Sequence, residues 1–157
     1  MFKKEKKKTQ KLPCLVKKGS KTAKTVLVLR HVTHENLGTM EQFLKEKKIP
    51  FEYIDVAKGA ALPQHPEKYA CIFIMGGPMS VLDIKKYPYM QKEVEFIQLA
   101  HSKKVAIMGV CLGAQLMAHA FGGTVHKGPI KEIGWYTIRL TREGMRDPLM
   151  IGFESEP

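Results

Sequence analysis

The run Gly109-Val110-Cys111-Leu112-Gly113-Ala114-Gln115 constrains the fold of this chain more than any other stretch, because it sets a thiol between two glycines where a strand turns into a helix. Val105-Ala106-Ile107-Met108 before it reads as a short buried strand, and Leu112 to Phe121 after it reads as a helix closed by Gly122-Gly123. A turn this tight forces its central residue into a strained backbone conformation, and neighbours without side chains let the chain fold back on itself. Gly109 and Gly113 meet that need, so Cys111 is expected at the tip of a nucleophile elbow. A thiol at a helix N-terminus faces the positive end of the helix dipole, which favours the nucleophilic thiolate. The competing reading is a buried structural cysteine in a glycine-bearing turn.

A second run supports the chemical reading. Ala70-Cys71-Ile72-Phe73-Ile74-Met75 has the composition of a buried strand and ends in Gly76-Gly77-Pro78-Met79-Ser80. Acyl transfer through a thiol creates a tetrahedral oxyanion. Such an oxyanion is held by preorganised donors, usually the N–H after the nucleophile and another from a loop following a different strand. The N–H groups of Leu112 and Gly77 suit these two roles, although a Gly-Gly-Pro run taken alone reads as an ordinary turn.

Three motifs in this order, Gly76-Gly77-Pro78-Met79-Ser80-Val81, Gly109 to Gln115 and Lys131-Glu132-Ile133-Gly134-Trp135, resemble the class I glutamine amidotransferases, in particular members similar to the amidotransferase domain of GMP synthase. The early run Arg30-His31-Val32-Thr33-His34-Glu35-Asn36-Leu37-Gly38 resembles the same subgroup. The likeness implies a doubly wound, flavodoxin-like α/β domain that releases the side-chain amide of glutamine as ammonia. It implies Cys111 as nucleophile, Gly77 and Leu112 as the oxyanion hole, and Gly76 and Gln115 as contacts to glutamine. Independently, Gln115 lies one helical turn beyond Cys111, on the same face. The family's triad also uses a His and a Glu from a later segment, and no His-x-Glu follows in this sequence up to Pro157. Residues 25–157 are therefore expected to form an amidotransferase domain that is incomplete at its C-terminus, with full turnover requiring the missing pair.

The histidines do not supply an obvious substitute. His31 and His34 follow the first expected strand, Val26-Leu27-Val28-Leu29, on the side where ligands bind in an open α/β sheet, and either could act as a base or structure the loop. His119 lies two turns along the elbow helix, and His65, His101 and His126 have no partner pattern. The six histidines and three cysteines are not grouped as metal ligands, so neither a metal nor an organic cofactor is expected.

The net charge of +11 suggests nucleic acid until its location is considered. Residues 1–24 hold ten lysines against one glutamate, which accounts for most of the excess. Like charges repel, and that stretch has little apolar surface to bury, so it reads as a disordered tail with at most non-specific, salt-sensitive affinity for phosphates. The isolated cysteines suggest a reducing compartment, and no apolar run is long enough for a signal peptide or a membrane span, so a cytoplasmic location is expected.

Strand and helix signals alternate along the remainder. Thr39 to Lys48 and Tyr87 to Ser102 read as helices, and Phe51 to Val56 as a strand; Thr124 to Ile130 and Trp135 to Leu140 read as later strands. Repeated βα units imply a mainly parallel sheet with helices on both faces. No Walker-type phosphate loop or ATP-pyrophosphatase signature is present in this sequence, so the ammonia acceptor is expected to be a separate synthetase. Two alternatives are a different cysteine hydrolase on a related fold, which Gln115 and the Gly-Gly-Pro run disfavour, and a non-catalytic binding or regulatory module.

Overall fold

The computed structural model describes residues 24–130, 133–150 and 152–153. The lysine-rich tail up to residue 23, with Cys14, and the Lys131-Glu132 pair of the third motif lie outside the described residues. Two compact units divide between His126 and Lys127.

Among the described residues, the first unit is built from four strands and three α-helices. In chain order they are β1 (Val26–Arg30), α1 (Thr39–Glu46), β2 (Phe51–Asp55), β3 (Cys71–Ile74), α2 (Pro88–Ser102), β4 (Ala106–Gly109) and α3 (Leu112–Ala120). The strands form one parallel sheet in the order β2-β1-β3-β4. β1 is apolar through Val26, Leu27, Val28 and Leu29, all fully buried, because a strand covered on both faces has no solvent side on which to place polar residues. Leu27 and Leu29 join Ile72 and Ile74 beneath Val94 and Ile97 of α2 and Leu112 and Leu116 of α3. Val26 and Val28 belong to the opposite face, where Leu44 of α1 and Leu37 cover them. The sheet is thus doubly wound, as expected from the alternation.

α2 starts with Pro88, whose fixed φ and missing N–H suit a first helical turn. Its buried stripe is Met90, Val94, Ile97 and Ala100, with one acid, Glu93, included. At the carboxyl ends of β1 and β2, Arg30 Nε donates to Asp55 at 2.7 Å, and this bond holds the Asp55 carboxyl down at about 2. Among the described residues no helix is long and apolar enough to cross a membrane.

The strand order reverses direction between β1 and β3, which makes the carboxyl end of these two strands the switch point where α/β sheets bind ligands. The loops after β1, β3 and β4 meet there. α3 comes so close to β3 that a β-carbon on Gly113 would land on the Ile74 carbonyl oxygen.

The strands expected over Thr124 to Ile130 and Trp135 to Leu140 do not form among the described residues. Alternating apolar residues make a strand only with a ladder partner and a surface to bury against. Trp135 and Ile138 have neither, at 104% and 88% exposure. The described residues of the second unit instead form two 3-10 turns, Gly144–Arg146 and Pro148–Met150. Helix α1 also stops short of the expected Lys48, with Lys47 capping it.

Gly113→Ala is expected to lower the unfolding free energy by about 3 kcal/mol, since backbone must move to admit the methyl. Gly59→Ala, at φ +81° with open space around it, is expected to cost about 1 kcal/mol from backbone conformation alone. Urea unfolding of the full chain measures both, and equal losses would mean that α3 does not press on β3.

Candidate active site

Cys111 caps α3 at φ +51° and ψ −110°, a region that side chains avoid at roughly 1–3 kcal/mol per residue. Three contacts impose it. Val110 N–H donates to the Ile74 carbonyl at 2.9 Å, Gly113 N–H returns to the Val110 carbonyl at 2.9 Å, and Gln115 N–H opens the helix on the Cys111 carbonyl at 3.1 Å. A β-carbon on Gly109 would lie 2.5 Å from the Gly113 carbonyl carbon, so glycine is required for the chain to double back. The strain lifts the thiol outward, and Cys111 is exposed while Cys71 is half-buried in β3. The elbow read from the sequence is therefore formed, and Cys111 is not packed in the core.

The loop after β3 runs alongside the elbow. A β-carbon on Gly76 would sit 3.4 Å from Cys111 Cβ, and one on Gly77 would sit 3.1 Å from Leu112 Cδ2. Gly76, Gly77, Cys111 and Leu112 are thus brought together from two strands. Among the described residues, none accepts a hydrogen bond from the N–H of Gly77 or of Leu112. Gln115 is half-buried, and its Oε1 accepts from Val81 N–H at 3.1 Å and from Ser80 Oγ at 3.3 Å. This ties the first turns of α3 to the far end of the glycine loop.

His31 lies beneath the same loop, and its side chain is fully buried. Its Nδ1 is 2.9 Å from the Gly76 carbonyl, and its Nε2 is 3.0 and 3.2 Å from the two oxygens of Glu93, whose side chain is equally buried. A carbonyl can only accept, so Nδ1 carries a proton. Burial alone would push the imidazolium down, but the bond and charge of Glu93, with help from the Gly76 carbonyl, outweigh it and raise the His31 pKa. Tyr89 packs nearby, with ring centroids 6.3 Å apart. Burial first, then the Glu93 charge, push its phenol up to about 12.

Of the two readings of His31, base or loop-structuring residue, the structure favours the second: neither ring nitrogen is available to Cys111. His34, His65, His101, His119 and His126 are exposed. Two residues near the site fall outside the roles that the sequence motifs suggest. Glu93 looks like any acid of an amphipathic helix, although its place on the stripe of Met90, Val94 and Ile97 is a usable signal. Glu35, half-buried, rests its carboxylate against Gly76 on the flank of Cys111, and nothing in its sequence context indicates that. Among the described residues no cluster of three His, Cys, Asp or Glu could hold a metal ion.

Glu93→Gln removes the charge that raises the His31 pKa. A raised pKa stabilises the fold fully below the unfolded value, about 6.5, and the gain is lost as pH climbs through the higher folded value. The margin in unfolding free energy of the wild type over Glu93→Gln is therefore expected to shrink as pH rises above about 6.5. Urea unfolding at a series of pH values above that point checks it, and a margin that widens would contradict an imidazolium at His31.

Residues 35–154 match the family model for glutamine amidotransferase class-I. The glutamine amidotransferase-like protein YfeJ of Salmonella typhimurium is 32% identical over 128 residues, which cover 80% of this chain and 54% of that protein. One subunit of the glutamine-hydrolyzing GMP synthase of Saccharolobus solfataricus is 33% identical over 94 residues, covering 57% of this chain and 44% of the relative. The crystal structure of a glutamine amidotransferase from Thermotoga maritima superposes with a TM-score of 0.77 at 33% identity, over 83% of this chain and 56% of that one. The chain spans about half the length of the relatives it matches. With a matching sheet, a matching family model over most of its length and a cysteine elbow between β4 and α3, the chain belongs to the class I glutamine amidotransferases.

Proposed function

We propose that this chain carries the glutamine-handling half of an amidotransferase site, with Cys111 as nucleophile. Sγ attacks the γ-carboxamide carbon of glutamine, and the carbonyl electron pair moves onto oxygen, where the N–H groups of Gly77 and Leu112 receive it. Collapse of this intermediate breaks the C–N bond and expels ammonia, which leaves with the proton that the thiol gave up on attack. Water then cleaves the γ-glutamyl thioester to glutamate and restores the thiol. Gly76, on the flank of Cys111, and Gln115, one turn along α3, would contact the glutamine. The observation that carries this reading is the strained, exposed Cys111 lying flush against Gly76, with two main-chain donors beside it that no described residue satisfies.

The ammonia would pass to a separate synthetase in the cytoplasm. The relation to one subunit of a GMP synthase supports a two-component arrangement of this kind. A second reading, a binding or regulatory module, is favoured by one observation: His31, the histidine under the site, has both nitrogens engaged.

The two readings part on reactivity. The p-nitrophenyl ester of the glutamate γ-carboxyl group needs no acid for its leaving group, so it is expected to acylate Cys111 in a burst. Turnover of glutamine by the same chain is expected to lag behind an enzyme with a positioned acid/base by roughly 10²- to 10⁴-fold. Cys111→Ala should abolish the burst while leaving glutamine binding in place. A burst that survives Cys111→Ala, or labelling spread evenly over Cys14, Cys71 and Cys111, would favour the module.

A further inference from the structure

Two glycines in succession give the Gly76–Gly77 peptide more rotational freedom than any other pair of residues would. That freedom matters because a trans peptide is a rigid plate whose C=O and N–H point in opposite directions. If the plate presents its N–H to the crevice, it stabilises an oxyanion at Cys111. If it turns over, it presents a carbonyl oxygen, and stabilisation becomes repulsion.

One group grips this plate. His31 Nδ1 donates to the Gly76 carbonyl at 2.9 Å, from a side chain with no exposure, while Cys111 lies exposed beyond the loop. The grip is itself held. Glu93, 62 residues away in sequence and equally buried, receives His31 Nε2 on both carboxylate oxygens and fixes the ring in place. Gly77 is wedged between His31 Cβ and Leu112 Cδ2, both 3.1 Å from where its β-carbon would be, so the loop cannot slide away from the ring.

The geometry points to the His31–Glu93 pair as a positioning device for the oxyanion hole: by holding the Gly76 carbonyl from the buried side, it turns the Gly77 N–H toward the crevice of Cys111. This rests on the amidotransferase reading above and adds two residues to it. Neither touches substrate, and neither transfers a proton in the reaction. A hydrogen bond accepted by the carbonyl also polarises the peptide and strengthens the N–H at its other end as a donor.

The test uses the full chain. Replacing both members of a buried ion pair with apolar residues of similar volume is often tolerated, so His31→Phe with Glu93→Met removes the grip without leaving a buried charge. Glu93→Gln keeps Nδ1–H donation through a neutral imidazole. Acylation of Cys111 by the p-nitrophenyl γ-ester is expected to fall roughly 10- to 100-fold in the double variant, since loss of one oxyanion donor costs about 10²- to 10³-fold and the free peptide still samples the right orientation. The ester concentration at half-saturation should stay put, as should the rate of alkylation by iodoacetamide, which forms no oxyanion. Glu93→Gln should retain most of the acylation rate. A folded double variant that acylates like the wild type would overturn the proposal.

Two further measurements need no turnover, and the first needs no variant. In wild-type chain labelled with nitrogen-15, His31 Nδ1 must read as a protonated nitrogen on both sides of its titration; a bare Nδ1 would overturn the proposal. The Gly77 amide resonance must move in the double variant and hold in Glu93→Gln, and an unmoved resonance would also overturn it. An absent ester burst in the wild type would instead count against the glutamine reading, with the amide data still deciding what His31 holds.

Discussion

The close approach of α3 to β3 is the constraint on which the other features of this molecule depend. Gly113 lies against the Ile74 carbonyl, Val110 N–H bonds to that same carbonyl, and Gly109 makes room for the turn between them. With those contacts in place, Cys111 has no relaxed conformation left to adopt. Its φ of +51° is held by packing on either side, at a cost of roughly 1–3 kcal/mol that the buried interfaces of α3 with β3, β4 and α2 offset. An exposed thiol on a rigid mount is the result. A looser helix would let the turn relax and the sulfur swing.

Beneath the neighbouring loop, the solution is electrostatic. The Gly76–Gly77 segment has no side chains with which to anchor itself, so its orientation comes from outside, through His31 and behind it Glu93. A buried ion pair contributes little net stability, because desolvation of both charges offsets their attraction. What such a pair supplies is direction, since a ring held at both nitrogens cannot tilt. The two loops at the mouth of the sheet are thus fixed by different means, one by steric contact and the other by a charge-assisted hydrogen bond.

Much of the architecture was legible along the chain. Alternating strand and helix signals, the continuous apolar run of β1 and the proline opening α2 translate directly into a doubly wound parallel sheet, because each reports a local requirement of backbone or burial. The elbow was legible for the same reason: Gly109, Cys111 and Gly113 are neighbours. The expected strands at Thr124 to Ile130 and Trp135 to Leu140 failed because strand formation is not local. Alternation at Tyr136, Ile138 and Leu140 states a preference, and without a ladder partner the preference has nothing to act on.

The sequence by itself determined the class of fold, the place of the thiol and the two loops that meet it, since periodicity and glycine spacing act over a few residues. Only the tertiary structure decided what His31 is for, because its partners are a main-chain carbonyl 45 residues away and an acid 62 residues away, and no pattern along the chain pairs them. Glu35 is the same case: it resembles a surface acid until the loop after β1 folds it against Gly76. Residues close in sequence are coupled by covalent geometry, whereas these are coupled only by burial in one crevice, which exists once the sheet has formed.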